Sequence, residues 1–595
     1  MLSRAVYLLK VYVLTVVFFM GAKVVFMLAN GSGLSLADYA AVLWHGLSLD
    51  LSTALYFIFL PFLACLVSLW VKVPRRFFSI YFAIVSLAFS LAFVADTSLY
   101  SFWHFKLDAS CLQYLATPTE AMASVSTGYM LVRLLLLIVS AVAMAAIYCI
   151  VNPRFTAVRH RVAYTAVMLL AIPLLVIGIR GGLDESTTNV GQTYFSQRQL
   201  LNHSAVNPVF SFLSSFEKTA NNIVDYDFLP DDECSRLIAD VYPQAMSPSD
   251  TLLTTSRPDI VVVLMESAGS IMSDAMPRLE QLKGEGISFS RCIGNTWRTD
   301  RGTVCTYSGY PSFPTSSVMK MPSKTQYLPG IARTLRDAGY QTSYFYGGDI
   351  NFTNMRSYLV GTGFEALTWK KDYSASEQST SKWGVRDDIM FDAVYDKLTS
   401  PHTQPLLIGF STLSSHEPWD VPLKKLDDPI KNAFYYLDDC IGRFVDRLRS
   451  TPQWKQTLIV LLPDHSIDYG DFNEMVPERN YIPLLWVGGA VAEPMLVDKI
   501  CNQTDLAATL LSQLSLPHAD FRWSRDVLSP SYRYPVAVHN FNNGFSVTDS
   551  TGFMVYDLNS RQTVVSQTTQ AGRLERLGKA VLQATTADLK HLGNN

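Results

Sequence analysis

Several strand-like apolar runs in this chain end in residues that bind metals or move protons. RPDIVVVLME closes on Glu266, and TLIVLLPDHS closes on Asp464 and His465. TSYFYGGD runs into two glycines and Asp349, and LLIGFSTLSSHEPW delivers His416 and Trp419 after a short loop. Alone, a carboxylate after a strand is more often a turn residue or helix cap, and a single histidine more often a hydrogen-bonded loop residue. The adjacent Asp464–His465 pair is sharper, because both side chains leave one turn. Two carboxylates and an imidazole without thiolate suit Mn²⁺ or Zn²⁺, and such an ion makes a bound hydroxyl or water a useful nucleophile.

The stretch NTWRTDRGTVCTYSGYP (Asn295–Pro311) follows the first of these runs and offers hydroxyls for that chemistry. A Ser or Thr is a weak nucleophile until something stabilises its alkoxide. A divalent metal does so, while Arg298 and Arg301 can clamp an anionic group. The chemistry suggested is transfer or hydrolysis of a phosphate- or sulfate-like ester. Residue types alone leave Thr296, Thr299, Thr303, Thr306, Ser308 and Cys305 all eligible as the nucleophile.

These residues need a frame. DIVVVLM, TSYFYG, PLLIGF, TLIVLL and IPLLWVGG are short, nearly continuous apolar runs, separated by helix-like segments such as FYYLDDCIGRFVDRLRS. That alternation predicts an α/β domain whose central, mostly parallel sheet is covered on both faces. Ligands in such sheets bind beyond the carboxyl ends of the strands, which is where the acids and histidines fall.

The N-terminal third is different. Five windows, Ala5–Ala29, Leu47–Val71, Phe77–Tyr100, Tyr129–Val151 and Val162–Ile179, are long and apolar enough to cross a bilayer, which takes about 20 residues. A single window could be a signal peptide; five make a polytopic membrane protein. Arg4, Lys10, Lys72, Arg75, Arg76, Arg154, Arg159 and Arg161 flank one set of ends, whereas the alternate loops 30–45 and 101–127 carry only Lys106. The positive-inside rule then places the N-terminus in the cytoplasm and everything after Gly181 outside it. The expected organisation is a membrane domain over 1–183, a juxtamembrane connector over 184–255, and an extracytoplasmic catalytic domain with a C-terminal extension over 256–595. The net charge of −3 gives no reason to expect a nucleic-acid partner. No CxxC occurs among the eight cysteines, so a metal–cysteine site is not expected. Cys292 with Cys305 is the first disulfide pair to test.

Taken together, VVLMES, RTDRGT…SGYP, FYGGDINFTNM, SSHEPW and PDHS make the outer domain similar to the alkaline phosphatase/sulfatase superfamily. With five spans before it and an IRGG…NP connector, the chain resembles the lipoteichoic acid synthase family of phosphoglycerol transferases, in its Gram-negative-type branch. The resemblance implies one Mn²⁺, with Mg²⁺ or Zn²⁺ as alternatives, held by Glu266, Thr299, Asp464 and His465. It selects Thr299 as the nucleophile, loaded covalently with phosphoglycerol from a phosphatidylglycerol-like phospholipid and then relieved by a glycan or lipid-linked acceptor. It assigns His416 to the transferred phosphate, with Arg301, Asp349 and Trp419, and further Trp383 and Arg386, as candidates for head-group or acceptor contacts. The enzyme would be a multi-pass protein of the inner (cytoplasmic) membrane, its catalytic domain periplasmic or extracellular. The alternatives are a phosphoethanolamine transferase, an ester hydrolase of the same superfamily, or a non-catalytic binding protein. No Cys or Ser stands in a C/S-x-P-x-R pattern, so formylglycine-dependent sulfatase chemistry is not expected. FTNM, with Thr353 and Met355, replaces the Phe-Trp-Asn-Arg run of Gram-positive polymerases.

Overall fold

The computed structural model describes residues 2–103, 106–107, 111, 127–153, 155, 157–218, 223–243 and 247–593. Arg154 and most of the expected outer loop 101–127 lie outside the described residues. The chain divides into two compact units, Met1–Asn221 and Asn222–Asn595, and the division falls within the stretch expected to be connector.

In the first unit, helices α1 (Leu2–Asn30), α2 (Leu36–Val67), α3 (Arg75–Trp103), α4 (Thr127–Ile150) and α5 (Arg161–Arg180) are each long and apolar enough to cross a membrane. The second starts eleven residues before its apolar window, because Ser35 and Asp38 form a capping box. α4 and α5 leave Leu131, Leu135, Val139, Leu170 and Leu174 exposed, an apolar surface suited to lipid rather than water. Inside the bundle, Lys23 meets Asp50 at 2.7 Å with both side chains fully buried. Asn207 donates to the other Asp50 oxygen at 2.8 Å. Asn207 also accepts from Val209 N and Phe210 N and so caps α7 (Pro208–Lys218), which follows α6 (Gln199–Ala205). Gly46 makes room for this network: a Cβ there would come within 2.2 Å of Lys23 Nζ and 2.4 Å of the Ala205 carbonyl oxygen.

The second unit is built on strands β1 (Asp259–Met265), β2 (Ile287–Ile293), β3 (Gln341–Tyr346), β4 (Ala366–Trp369), β5 (Leu406–Ser411), β6 (Thr457–Pro463), β7 (Leu484–Val487) and β8 (Met495–Asn502). They form one sheet in the order β4-β3-β5-β1-β6-β7-β2-β8, parallel except that β7 runs antiparallel to both neighbours. Every residue of β1, β5 and β6 is buried, so these central strands read as unbroken apolar runs. Helices α8 (Thr299–Ser308) and α9 (Pro429–Arg449) belong to the layers that cover the sheet. A second, antiparallel sheet of β9 (Val536–Phe541), β10 (Gly544–Asp549), β11 (Gly552–Asp557) and β12 (Gln562–Thr568) follows, with α10 (Ala571–His591) packed on it. The sequence reading did not anticipate this sheet, although Asn543-Gly544 stands at its first turn.

Cys292, Cys305 and Cys501 are each buried and not joined in a disulfide. The expected Cys292–Cys305 pairing is not the one the fold sets up. The parallel pairing of β2 with β8 puts Cys292 opposite Cys501, while Cys305, on α8, turns its thiol to Asn295 Oδ1 at 3.5 Å.

Candidate metal and nucleophile site

The register of the central strands builds the site. β1 and β6 pair in parallel until Met265 stands opposite Pro463. The next residue on each strand is therefore Glu266 or Asp464, and parallel neighbours are about 4.8 Å apart. On the other flank, β5 ends opposite Leu264, and its loop grips the backbone of Glu266: Thr412 Oγ1 accepts from Glu266 N at 2.9 Å, and Ser415 Oγ donates to the Glu266 carbonyl at 2.6 Å. Asp387 holds that loop in turn by accepting from Leu413 N and Ser414 N. Ser267 adopts a left-handed backbone (φ 58°), a strained conformation for a residue with a side chain. It places Ser267 N 2.9 Å from Asp464 Oδ1 and Ser267 Oγ 2.7 Å from Glu266 Oε1.

His465 completes the group. Its Nδ1 lies 3.0 Å from the Ser466 carbonyl, which can only accept, so Nδ1 carries the proton and Nε2 is left to act as a ligand. Nε2 is 3.7 Å from both Glu266 Oε1 and Asp464 Oδ2. One ligand atom from each of Glu266, Asp464 and His465 lies within 4.8 Å of the others.

Thr299 opens α8, with Arg298 as the extended residue before it. A helix N-terminus presents unpaired N–H groups and positive potential, and so favours anions and developing negative charge. Thr299 Oγ1 donates to Glu266 Oε2 at 3.2 Å. Gly302, one turn on, makes this approach possible: a Cβ there would sit 2.1 Å from the Asp464 carbonyl oxygen. Gln503, buried at the start of the segment after β8, ties the two together by donating to the carbonyls of Asp464 and Gly302.

Glu266, Thr299, Asp464 and His465 thus come together. His416 lies on the β5 loop, with Nδ1 3.2 Å from the Glu417 carbonyl and its ring edge-on to Trp383 at 4.5 Å. Trp419 has a left-handed backbone and a buried indole N–H that meets no hydrogen-bond partner among the described residues. Asp349 is buried and accepts from Asn351 N and Nδ2. Arg301 stacks over Trp297 at 4.5 Å and contacts Asp300 and the Phe313 carbonyl. Arg386 pairs with Asp388. Sequence reading missed Ser267, Gln503 and Tyr346. Tyr346 ends β3 buried, within the electrostatic reach of Glu266, Asp349 and Asp464, and burial raises its hydroxyl above the ordinary range. Ser267 had a signal, as the neighbour of a strand-end acid; Gln503 had none.

The donor set fits a divalent cation. Asp464 Oδ2 is buried and meets no hydrogen-bond donor among the described residues, and burial together with Asp464 pushes the Glu266 carboxyl up to about 8. Two crowded, desolvated carboxylates facing an imidazole nitrogen and a hydroxyl lack positive charge, which a hard or borderline cation supplies.

Residues 258–516 match the Sulfatase family model. Phosphoglycerol transferase I of Xanthomonas campestris pv. campestris is 26% identical over 320 residues, covering 49% of this chain and 45% of that protein. Phosphoglycerol transferase I of Escherichia coli (strain 55989) is 26% identical over 212 residues, covering 32% and 28%. The chain thus spans less than half the length of these curated relatives. Among solved structures, a protein in the alkaline phosphatase superfamily from Vibrio parahaemolyticus aligns with a TM-score of 0.55 at 23% identity, over 62% of this chain and 98% of that one. The second unit therefore has an alkaline phosphatase/sulfatase-like fold.

Proposed function

We propose, for a chain whose residues 258–516 form a Sulfatase-family domain, that it is a membrane-anchored, metal-dependent phosphotransferase. It moves phosphoglycerol from a phosphatidylglycerol-like donor to a glycan or lipid-linked acceptor outside the cytoplasm. The observation that carries this reading is the Thr299 hydroxyl, set at a helix N-terminus and 3.2 Å from a carboxylate of the Glu266–Asp464–His465 cluster. The names of the curated relatives support phosphoglycerol as the group transferred.

Glu266, Asp464, His465 and Thr299 would hold Mn²⁺, with Mg²⁺ or Zn²⁺ as alternatives; when bound, the ion supplies positive charge for an alkoxide and for phosphoryl oxygens. Glu266 orients the Thr299 hydroxyl by accepting its hydrogen bond. Thr299 Oγ1 loses its proton and attacks phosphorus, the bond to the glyceride oxygen breaks, and that oxygen takes a proton to leave as diacylglycerol. The first amides of α8 face the charge that develops on the phosphoryl group. An acceptor hydroxyl then attacks phosphothreonine, forming the new ester and returning Thr299 with its proton. His416 is assigned to the transferred phosphate, and Arg301, Asp349 and Trp419 to the head group or acceptor.

The test uses purified full-length protein with Mn²⁺ and fluorescent phosphatidylglycerol in detergent micelles. Diacylglycerol release that Thr299→Ala abolishes is the expected result. Release from phosphatidylethanolamine but not from phosphatidylglycerol would overturn the head group. Release undiminished in Thr299→Ala would overturn the nucleophile.

A further inference from the structure

The C-terminal sheet lies beyond the Sulfatase-family match, yet its first strand reaches the segment that carries Thr299. On β9, Asn540 N donates to the Asn295 carbonyl at 2.9 Å, and Asn540 Nδ2 donates to the Ser312 carbonyl at 2.9 Å. Next to it, His539 is only 1% exposed, and each of its ring nitrogens faces an oxygen. Nδ1 lies within hydrogen-bond distance of the Gly294 carbonyl at 2.6 Å, and Nε2 lies 2.7 Å from Glu474 Oε2, an ion-pair contact outside hydrogen-bond alignment. Gly294 opens the stretch leading to the nucleophile. Glu474 lies in the 466–480 segment that begins just after His465.

That segment is drawn closed at its base. Arg479, 2% exposed, donates from Nε to Asp468 Oδ1 at 2.5 Å and reaches Glu474 Oε1 at 3.6 Å. The Asn480 carbonyl accepts from Gly294 N at 2.8 Å, and Asn480 Nδ2 donates to Ser546 on β10 at 3.1 Å. One buried imidazole therefore spans the two chain segments that deliver Thr299 and His465. These segments are far apart in sequence, and within this bridge β9 holds them from a third place.

We propose that His539 is a positioning residue of the site. By bridging the Gly294 carbonyl to Glu474, it fixes the nucleophile segment against the loop that follows the ligand His465, so the C-terminal sheet is an integral part of the catalytic centre. The inference rests on the reading of Thr299 as nucleophile and of Glu266, Asp464 and His465 as ligands. Geometry of this kind matters because a misplacement of about 1 Å in a reacting group can lower turnover about 100-fold.

The test compares full-length His539→Ala, His539→Asn, Glu474→Gln and the His539→Ala/Glu474→Gln double variant with wild type, in detergent. Asparagine keeps an amide donor for Gly294 but cannot reach Glu474. Three quantities are read: amide hydrogen exchange over residues 294–300 and 466–480, Mn²⁺ affinity by calorimetry, and kcat and KM for diacylglycerol release from fluorescent phosphatidylglycerol. Faster exchange confined to those two segments is expected, with kcat lowered about 10- to 100-fold and KM changed less than about twofold. The double variant is expected to be no worse than the worse single variant, as for residues acting through one bridge. His539→Asn is expected to keep protection over 294–300 and lose it over 466–480. Wild-type exchange and kcat in His539→Ala and Glu474→Gln would overturn the proposal, and so would additive losses in the double variant. So would a loss of protection spread evenly over the whole unit with kcat per folded molecule unchanged. If wild type released no diacylglycerol, the transferase reading would fail, and exchange and Mn²⁺ affinity would still decide the role of His539.

Discussion

In the proposed site, Glu266 is the residue whose chemistry would depend most on a cation. Burial and the neighbouring Asp464 push its carboxyl up to about 8, so the metal-free site holds a proton there at pH 7. A cation must displace that proton to bind. Mn²⁺ affinity is therefore expected to rise by up to about tenfold per pH unit between pH 6 and 8 and to level off above about 8, measured by calorimetry in two buffers of different ionisation enthalpy. A flat affinity across that window would contradict Glu266 as a ligand. Stability of the metal-free protein has the opposite pH dependence. The folded pKa lies above the ordinary value of 4.5, so the folded state binds more protons, and stability falls as pH rises from about 4.5 through about 8. At this scale the sequence was informative where one strand end carried one acid, as at Glu266 and Asp464. It was silent on which hydroxyl serves, since Thr296, Thr299, Thr303 and Thr306 are chemically alike; α8 starting at Thr299 separates them by position. Arg301, expected to clamp an anion, also stacks on Trp297, a contact that nothing local in the sequence announces.

Two elements are held together by glycine or by charge in ways that a single substitution exposes. Gly302→Ala places a methyl 2.1 Å from the Asp464 carbonyl oxygen. Both contacting groups are backbone or helix, so α8 must move off β6. A loss of about 1–3 kcal/mol in stability and of about 100-fold in diacylglycerol release is expected from thermal unfolding and kinetics. In the membrane unit, Asp50→Ala leaves the Lys23 ammonium buried without its 2.7 Å partner, a loss of about 3–5 kcal/mol. The double change Lys23→Met/Asp50→Leu removes both charges and is expected to recover most of it, read as thermal stability in detergent. Equal destabilisation in the single and double variants would contradict a paired role. Strands β1, β5 and β6 were legible because burial on both faces makes them continuous apolar runs. β2 (ISFSRCI) was not, since serine and arginine break its run, and β9–β12 were missed although Asn543-Gly544 stands at the β9–β10 turn, because a hairpin signal does not say where the hairpin packs. His539 was invisible for that reason: only the pairing of the second sheet brings it to Gly294.

The molecule as a whole joins five membrane-length helices to a domain whose residues 258–516 match the Sulfatase family model. Anchoring to the bilayer raises the effective concentration of a lipid donor without any new contact, which suits a donor that never leaves the membrane. The basic residues Arg4, Lys10, Lys72, Arg75, Arg76, Arg159 and Arg161 favour a cytoplasmic N-terminus. Reporter fusions at the C-terminus test this: a reporter active only after export is expected to work there, and one active only in the cytoplasm to fail. The reverse pattern would place the site on the wrong side for an extracytoplasmic acceptor.

The central claim, that Thr299 carries phosphoglycerol between donor and acceptor, is tested most directly by the mass of the covalent adduct trapped on the enzyme after mixing with Mn²⁺ and phosphatidylglycerol. A glycerophosphoryl group on the peptide containing Thr299, absent from Thr299→Ala, is the expected result. An adduct of another mass, or one that persists in Thr299→Ala, would contradict it.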